Sequence, residues 1–113
     1  MPRLANRAKM TTATIGTGTI TLGSASSGYQ TFASAQVPDG ARVRYCIEDG
    51  TAWELGIGTY TTSGTTLTRA FSESSTGSLI SLSGSATVFV TAIDEDLRGL
   101  GKARANAMNQ HLR

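Results

Sequence analysis

The chain has 113 residues, a length that suits one domain, and it carries a formal net charge of +2 with only 16% charged residues. Its single cysteine excludes an internal disulfide, and cysteine and histidine nowhere have the spacing of a metal site. No apolar run approaches the roughly 20 residues of a membrane-spanning helix, so no membrane partner is expected. The 13 glycines, set against 2 prolines and many threonines and serines, predict short strands joined by many turns.

Residues 1–10 are predicted to form an extended, basic N-terminal docking arm, although its apolar positions could also line one side of a brief helix. A β domain is predicted over residues 11–93. Its first strand covers residues 11–22, where Gly16 and Gly18 mark a bulge or a bend. A phosphate-binding loop is not indicated there, because no third glycine, no following Lys-Ser/Thr pair and no helical pattern accompany the two glycines.

An aromatic segment follows the first strand. Tyr29 and Phe32 are expected to anchor a short, irregular strand. The Pro38-Asp39-Gly40 sequence predicts a turn, because proline presets its φ angle and glycine adopts the left-handed conformation at no steric cost.

The clearest alternation of apolar and polar residues lies between residues 41 and 69, and it predicts antiparallel strands. On the first strand three residues are expected to face the core: Val43, Tyr45 and Ile47. After a turn at Glu48-Asp49-Gly50, three more are expected to face it: Trp53, Leu55 and Ile57. Glu54 is placed on the opposite, outer side. The predicted core is therefore centred on Trp53, Tyr45 and Val90.

The last part of the chain changes in character. Residues 79–82 and 86–93 are apolar enough for two strands, the second of them either central in a sheet or covered on both faces. Asp94, Glu95 and Asp96 are suited to a helix N-terminus, where carboxylates interact favourably with the helix dipole. An approximate helical stripe follows, formed by Leu97, Leu100, Ala103, Ala107 and Met108. Residues 94–113 are therefore predicted to form a C-terminal helical tail.

The sequence predicts no catalytic, cofactor-binding or metal-binding residue. His111 is the only histidine and lies three residues from the last one, and Cys46 has no histidine near it in the sequence. Glu48 and Glu54 could approach each other across a hairpin, but two like charges there would need a cation such as Arg42 or Arg44. A sugar site would need an exposed aromatic ring beside a carboxylate, for which Tyr60 and Glu54 are the candidates.

Both ends of the chain are basic, whereas the acidic residues all lie between them. Basic ends on an acidic body can bind nucleic acid, or they can dock onto an acidic neighbour, including another copy of the chain. We favour docking, because the basic residues are few and no aromatic residue is interleaved with them for base stacking. Nucleic acid is therefore not an expected partner.

The order of several motifs resembles a β-rich module at the start of tail-fibre and other structural proteins of tailed bacteriophages. The specific part is YCIEDGTAWELGIGTYTTSGTTLTR, which contains Tyr-x-Ile-x-Asp-Gly, Trp-Glu-x-Gly-x-Gly-Thr-Tyr and Leu-x-Arg. The basic leader, the Thr/Gly-rich strand before it and the VFVT strand after it occur in the same order. The resemblance covers residues 4 to 92, and the final stretch matches nothing in the module.

The resemblance implies a non-enzymatic virion structural protein, assembled in the host cytoplasm. We expect a short tail-fibre or tail-attached module, with a capsid decoration protein that staples head subunits as the alternative. The expected partners are other virion proteins and further copies of the chain. The expected fold is a small all-β antiparallel sandwich or flattened barrel of about seven strands. The expected assembly contacts are Arg3, Leu4, Arg7, Lys9, Leu100, Lys102, Arg104 and Met108.

Overall fold

A computed structural model describes residues 3–92 of the chain. Within that range the regular structure consists of nine strands: β1 (Lys9–Thr12), β2 (Ile15–Gly16), β3 (Ile20–Ala25), β4 (Arg42–Asp49), β5 (Ala52–Thr61), β6 (Thr66–Leu67), β7 (Ala70–Ser74), β8 (Leu82–Ser83) and β9 (Ala86–Val90). Residues 3–92 contain no helix, and hence none that could span a membrane. The predicted helical tail, with its contact residues Leu100, Lys102, Arg104 and Met108, lies outside the described residues.

Six strands close into an antiparallel barrel. The sheet runs in the order β4-β9-β1-β3-β6-β5-β7, and a further pairing between β4 and β5 closes its first six strands into a ring. Strand β7 extends this ring, because it pairs with β5 alone, and β2 and β8 form a separate two-stranded sheet. The all-β prediction is confirmed, and the structure has the barrel form rather than the sandwich form.

The barrel closes through the hairpin of β4 and β5, the longest pairing in the fold. Its register runs from Arg42 opposite Thr59 to Asp49 opposite Ala52. Gly50 supplies the left-handed conformation of the connecting turn, with a φ angle of 63°. The turn predicted at residues 48–50 is therefore confirmed, and it fixes which residues face each other across the two strands.

Strand β5 faces the opposite way from the prediction. Its fully buried positions are Glu54, Gly56, Gly58 and Tyr60, whereas Trp53, Leu55 and Ile57 lie between them and are only half-buried. Trp53 is therefore not the anchor of the core, although Tyr45 and Val90 belong to the core as predicted. The prediction failed because alternation shows that two faces differ but not which one points inward.

The interior is filled by apolar side chains from every strand of the barrel. The largest fully buried side chains are Tyr45, Phe32, Ile20, Ile47, Leu67, Leu82, Glu54, Val43 and Val88. Phe32 packs against Tyr60, with ring centroids 5.6 Å apart. Glu54 is the one carboxylate in this group, and its surroundings form the first part of the candidate site.

The N-terminal residues follow the barrel wall instead of forming a helix. The backbone N–H of Arg3 donates to the carbonyl oxygen of Arg42 at 2.7 Å, and Ala8 forms a bridge with Gln30. The predicted boundary at residue 10 falls inside β1, which lies between β3 and β9. Over residues 3–10 the brief helix that the apolar positions allowed is not formed, because their backbone groups pair with neighbouring strands.

Two other predicted strands are shorter than expected. Around Tyr29 and Phe32 the chain has a single bridge at Gln30 and then turns over residues 32–36. The strand expected over residues 79–82 is reduced to β8, which begins only at Leu82. In both places a buried apolar side chain, Phe32 or Ile80, holds an irregular segment on the barrel.

Candidate functional site

The carboxylate of Glu54 lies inside the barrel with all of its hydrogen-bonding capacity in use. Its Oε1 accepts from Nη2 of Arg69 at 2.6 Å and from the backbone N–H of Ile80 at 2.9 Å. Its Oε2 accepts from the hydroxyl of Tyr45 at 2.6 Å and from Nε of Arg69 at 3.1 Å. Each carboxylate oxygen therefore accepts two hydrogen bonds, the number that its lone pairs allow.

Arg69 enters the barrel where the strand opposite β5 is interrupted, between β6 and β7. Its side chain is 1% exposed and forms a bidentate pair with Glu54. Its remaining donors reach the carbonyl oxygens of Gly16 at 3.1 Å, Gly18 at 3.4 Å and Ile80 at 2.7 Å. One guanidinium thus joins β5 to the segment that contains Gly16 and Gly18 and to the segment that precedes β8.

Two glycines of β5 leave the space that this network needs. A Cβ atom on Gly56 would overlap the carbonyl oxygen of Ala70 and lie 2.5 Å from the hydroxyl oxygen of Tyr45. A Cβ atom on Gly58 would overlap the carbonyl oxygen of Thr68. Any larger residue at either position would displace the neighbouring backbone at Thr68 and Ala70. The Gly-x-Gly spacing therefore allows close packing inside the barrel.

Opposing effects set the protonation of the buried carboxyl. Burial raises the pKa of Glu54. Hydrogen bonds from Arg69, Tyr45 and the Ile80 backbone lower it by more than burial raises it, so the pKa lies below the usual value for a glutamate. Burial is also the main cause of the raised pKa of Tyr45, with the hydrogen bond to Glu54 adding to it. The network therefore holds a carboxylate, a guanidinium and a neutral phenol at neutral pH.

This arrangement connects parts of the fold and leaves no free oxygen on Glu54. A general acid or base must reach a substrate or water, whereas Glu54 is 0% exposed and each of its oxygens is already bonded inside the protein. The proposed pairing of Glu48 with Glu54 is wrong: Glu48 lies opposite Trp53, on the outer side. The sugar-site candidate is wrong as well, because Tyr60 is 2% exposed and Glu54 is fully buried.

A second feature is an apolar patch on the outside of the barrel, which we call the outer face. It is formed by the side chains that alternate with the buried ones on three neighbouring strands: Cys46 of β4, Trp53, Leu55 and Ile57 of β5, and Phe89 of β9. Four of them are half-buried, and only Cys46 is buried. Large apolar side chains grouped on an exterior surface are typical of an interaction surface.

Polar groups border the outer face. Arg44 lies on the same side of β4, is 3% exposed and donates to the Ser72 hydroxyl at 3.1 Å. At the other end of β4, the carboxylate of Glu48 is 4.0 Å from Nζ of Lys9. Burial, with the Glu48 carboxylate nearby, raises the pKa of the Cys46 thiol to about 11. Cys46 is therefore a neutral thiol at physiological pH rather than a nucleophile.

The first two predicted contact residues lie at the start of the described chain. The guanidinium of Arg3 donates to the carbonyl oxygen of Gln36 at 3.0 Å, which fixes the arm to the turn that follows Phe32. Leu4 is 40% exposed, so its side chain is accessible to a neighbouring protein.

The other two predicted N-terminal contacts surround an aromatic ring. The guanidinium of Arg7 stacks over Tyr29 at 3.9 Å from the ring centroid and donates to the carbonyl oxygen of Gly28 at 2.8 Å. Nζ of Lys9 lies 5.1 Å from the same ring and 5.4 Å from that of Phe89. Both cations thus make contacts within their own chain.

The comparisons with known proteins give no relative. No family model, no curated protein and no solved structure matches this chain. Within residues 3–92, no group of histidine, cysteine and acidic side chains is placed to hold a metal ion. Conclusions about function therefore depend on the geometry of the outer face and the buried network, together with the motifs in the sequence.

The buried network was missed by the sequence analysis, although a signal for it is present. The residues of the network and its glycines are the fixed letters of the motifs described above: Tyr45, Glu54, Gly56, Gly58 and Arg69. Glu54, Gly56, Gly58 and Tyr60 are spaced two residues apart, so they face the same side of β5. The two glycines leave space inside the barrel for the side chains of Tyr45 and Arg69 beside Glu54. The motifs thus describe how the interior of the barrel packs.

Proposed function

We propose that this chain is a non-enzymatic structural protein of a bacteriophage virion, and specifically a tail-fibre or tail-attached module. It assembles with other virion proteins and with further copies of itself. The supporting observation is the outer face, where Trp53, Leu55, Ile57 and Phe89 form one apolar surface on the exterior of the barrel.

The buried network supports a structural role for the motif residues. Tyr45, Glu54 and Arg69 form hydrogen bonds with one another and with the backbone. The polar residues of the phage-module motifs therefore contribute to the fold. A barrel fixed in this way presents its outer surface with little rearrangement, which reduces the entropic cost of binding a neighbour.

The terminal segments belong to the same proposal. Leu4 offers an exposed apolar side chain at the N-terminal end of the described chain. The residues that follow β9 are proposed to form a helical tail whose basic residues, including Lys102 and Arg104, contact acidic neighbours.

A substitution that leaves the barrel intact tests the N-terminal contact. Leu4→Asp in the full chain is expected to reduce incorporation into phage particles, because a charge replaces an apolar contact. Ile15→Asp is the matched control: Ile15 is 75% exposed and lies in the separate β2–β8 sheet. Equal incorporation of both variants and the unchanged chain would contradict the N-terminal contact.

A further inference from the structure

We propose that two copies of this chain pack against each other through their outer faces, about a two-fold axis that runs across the direction of β4. Each copy then covers Trp53, Leu55, Ile57 and Phe89 of the other. This inference deepens the proposed function and rests on it for the use of the outer face as an assembly surface. It adds the partner of that surface and the symmetry of the contact.

The outer face has an apolar centre and a polar border. In the register of the barrel, Leu55 and Phe89 lie on either side of Cys46. Trp53 and Ile57 flank Leu55 along β5, on the same side of the strand. An apolar centre within a polar border is the usual arrangement of a contact between two proteins.

The two ends of β4 carry opposite charges. Arg42 is exposed at the start of the strand, and Glu48 is exposed near its end, with 54% of its side chain accessible. Both lie on the same side of β4 as Cys46, because each is an even number of residues away from it. Six residues span about 20 Å along a strand. The outer face therefore has a cation at one end and a carboxylate at the other.

A second copy turned end for end matches these charges. In a two-fold contact both copies use the same surface, so each contact occurs twice. When the axis runs across the strands, Arg42 of one copy faces Glu48 of the other at both ends of the contact. An axis along the strands places each charge against its own equivalent, and like charges that face each other weaken a contact. The order of the charges therefore favours the axis across the strands.

The same axis brings apolar side chains of different size together. Trp53 pairs with Glu48 and Ile57 pairs with Arg44 in the β4–β5 register, so these two apolar residues lie toward opposite ends of the outer face. A copy turned end for end places its Ile57 against Trp53 of the first copy, while Leu55 meets Leu55 at the centre. Sheets that pack face to face lie about 10 Å apart, a gap that apolar side chains from both sides fill.

The mass of the protein in solution tests the contact. Sedimentation equilibrium of the full chain should give twice the mass of one chain. Leu55→Asp should give the mass of one chain, while circular dichroism shows that the barrel is intact. Ile15→Asp is the control and should remain a dimer, because Ile15 is 75% exposed and lies in the separate β2–β8 sheet. A full chain that stays monomeric up to its solubility limit, or a dimer that survives Leu55→Asp, would overturn the inference.

Exchange of the charges tests the direction of the axis without changing any apolar residue. Arg42→Glu and Glu48→Arg should each weaken self-association about tenfold or more, because each places two pairs of like charges across the contact. An equal mixture of the two variants should dimerise, since every pair then joins a carboxylate to a guanidinium. Single variants that dimerise as tightly as the unchanged chain, or a mixture that stays monomeric, would overturn the inference.

Failure of this inference can be distinguished from failure of the proposed function. A chain that is monomeric in solution but present in purified particles would contradict the dimer and support the virion role. A chain that forms the dimer with the expected charge dependence but is absent from particles would support the contact and contradict the virion role.

Discussion

Arg69 donates a hydrogen bond to each carboxylate oxygen of Glu54, from Nη2 to Oε1 at 2.6 Å and from Nε to Oε2 at 3.1 Å. The two side chains are 1% and 0% exposed, so the pair lies wholly inside the barrel. A buried pair of this kind is costly to break from one side, because the remaining charge keeps its desolvation cost and loses its partner.

The first prediction concerns this pair. Glu54→Gln and Arg69→Met should each lower the free energy of unfolding by about 3–5 kcal/mol, because each leaves one buried charge unpaired. The double variant should cost clearly less than the two single losses added together, since it leaves no unpaired charge. Urea denaturation of the four proteins measures this, and additive losses would show that the two groups act independently.

The second prediction concerns acid stability. The pKa of Glu54 is lower in the folded protein than the value of about 4.3 expected for an unfolded chain. Its contribution to stability is therefore fully present above that value and is lost as the pH falls through the folded pKa. The unfolding free energy of the unchanged protein should begin to fall as the pH drops toward about 4.3 and should go on falling through the lower folded pKa, and that of Glu54→Gln should fall less steeply.

A matched control for the acid profile is Glu73→Gln. Glu73 lies on the extra strand β7 and is exposed, so it shares the residue type and the substitution but not the burial. Its profile should follow that of the unchanged protein. If the profile of Glu54→Gln also matched that of the unchanged protein, the loss of stability in acid would come from other carboxylates.

The third prediction concerns the glycine row of β5. Gly56→Ala should destabilise the barrel by about 1–3 kcal/mol, because the added methyl group overlaps the Ala70 carbonyl and crowds the Tyr45 hydroxyl. Gly18→Ala is the control, since nothing lies within 4 Å of its Cβ position. It should be neutral or slightly stabilising. Equal thermal midpoints for the two variants would contradict the packing described for β5.

The fourth prediction concerns the thiol on the outer face. With a pKa of about 11, Cys46 should react slowly with a disulfide reagent at pH 8, where almost none of it is thiolate. The reaction rate should rise as the pH approaches the pKa of Cys46. In denaturant, Cys46 should react at the rate of an ordinary exposed cysteine. Fast labelling of the folded protein at pH 8 would show that the outer face opens readily.

The sequence predicted strands correctly where apolar and polar residues alternate and a turn residue marks the end of the alternation. The β4–β5 hairpin and its turn at Gly50 follow from period-two alternation and a glycine that adopts a positive φ angle. The orientation of β5 could not be predicted in this way. Trp53 is far more hydrophobic than Glu54, so any ranking by hydropathy places the tryptophan inside and the carboxylate outside.

The partner of Glu54 explains that failure. Arg69 lies 15 residues further along the chain and reaches the carboxylate only after β5 and the interrupted strand β6–β7 have paired. No local window contains both residues in a recognisable pattern. The two inward glycines are the only nearby sign, and at the level of the sequence they are also typical of a turn or a bulge.

We propose that this chain is a structural part of a phage particle, attached at the tail. The most direct measurement is to label the full chain, purify particles from infected cells and count and locate the label by electron microscopy. The proposal predicts tens of copies at one vertex. Hundreds of copies over the shell would place the protein on the head instead, and particles without the label would contradict the claim itself.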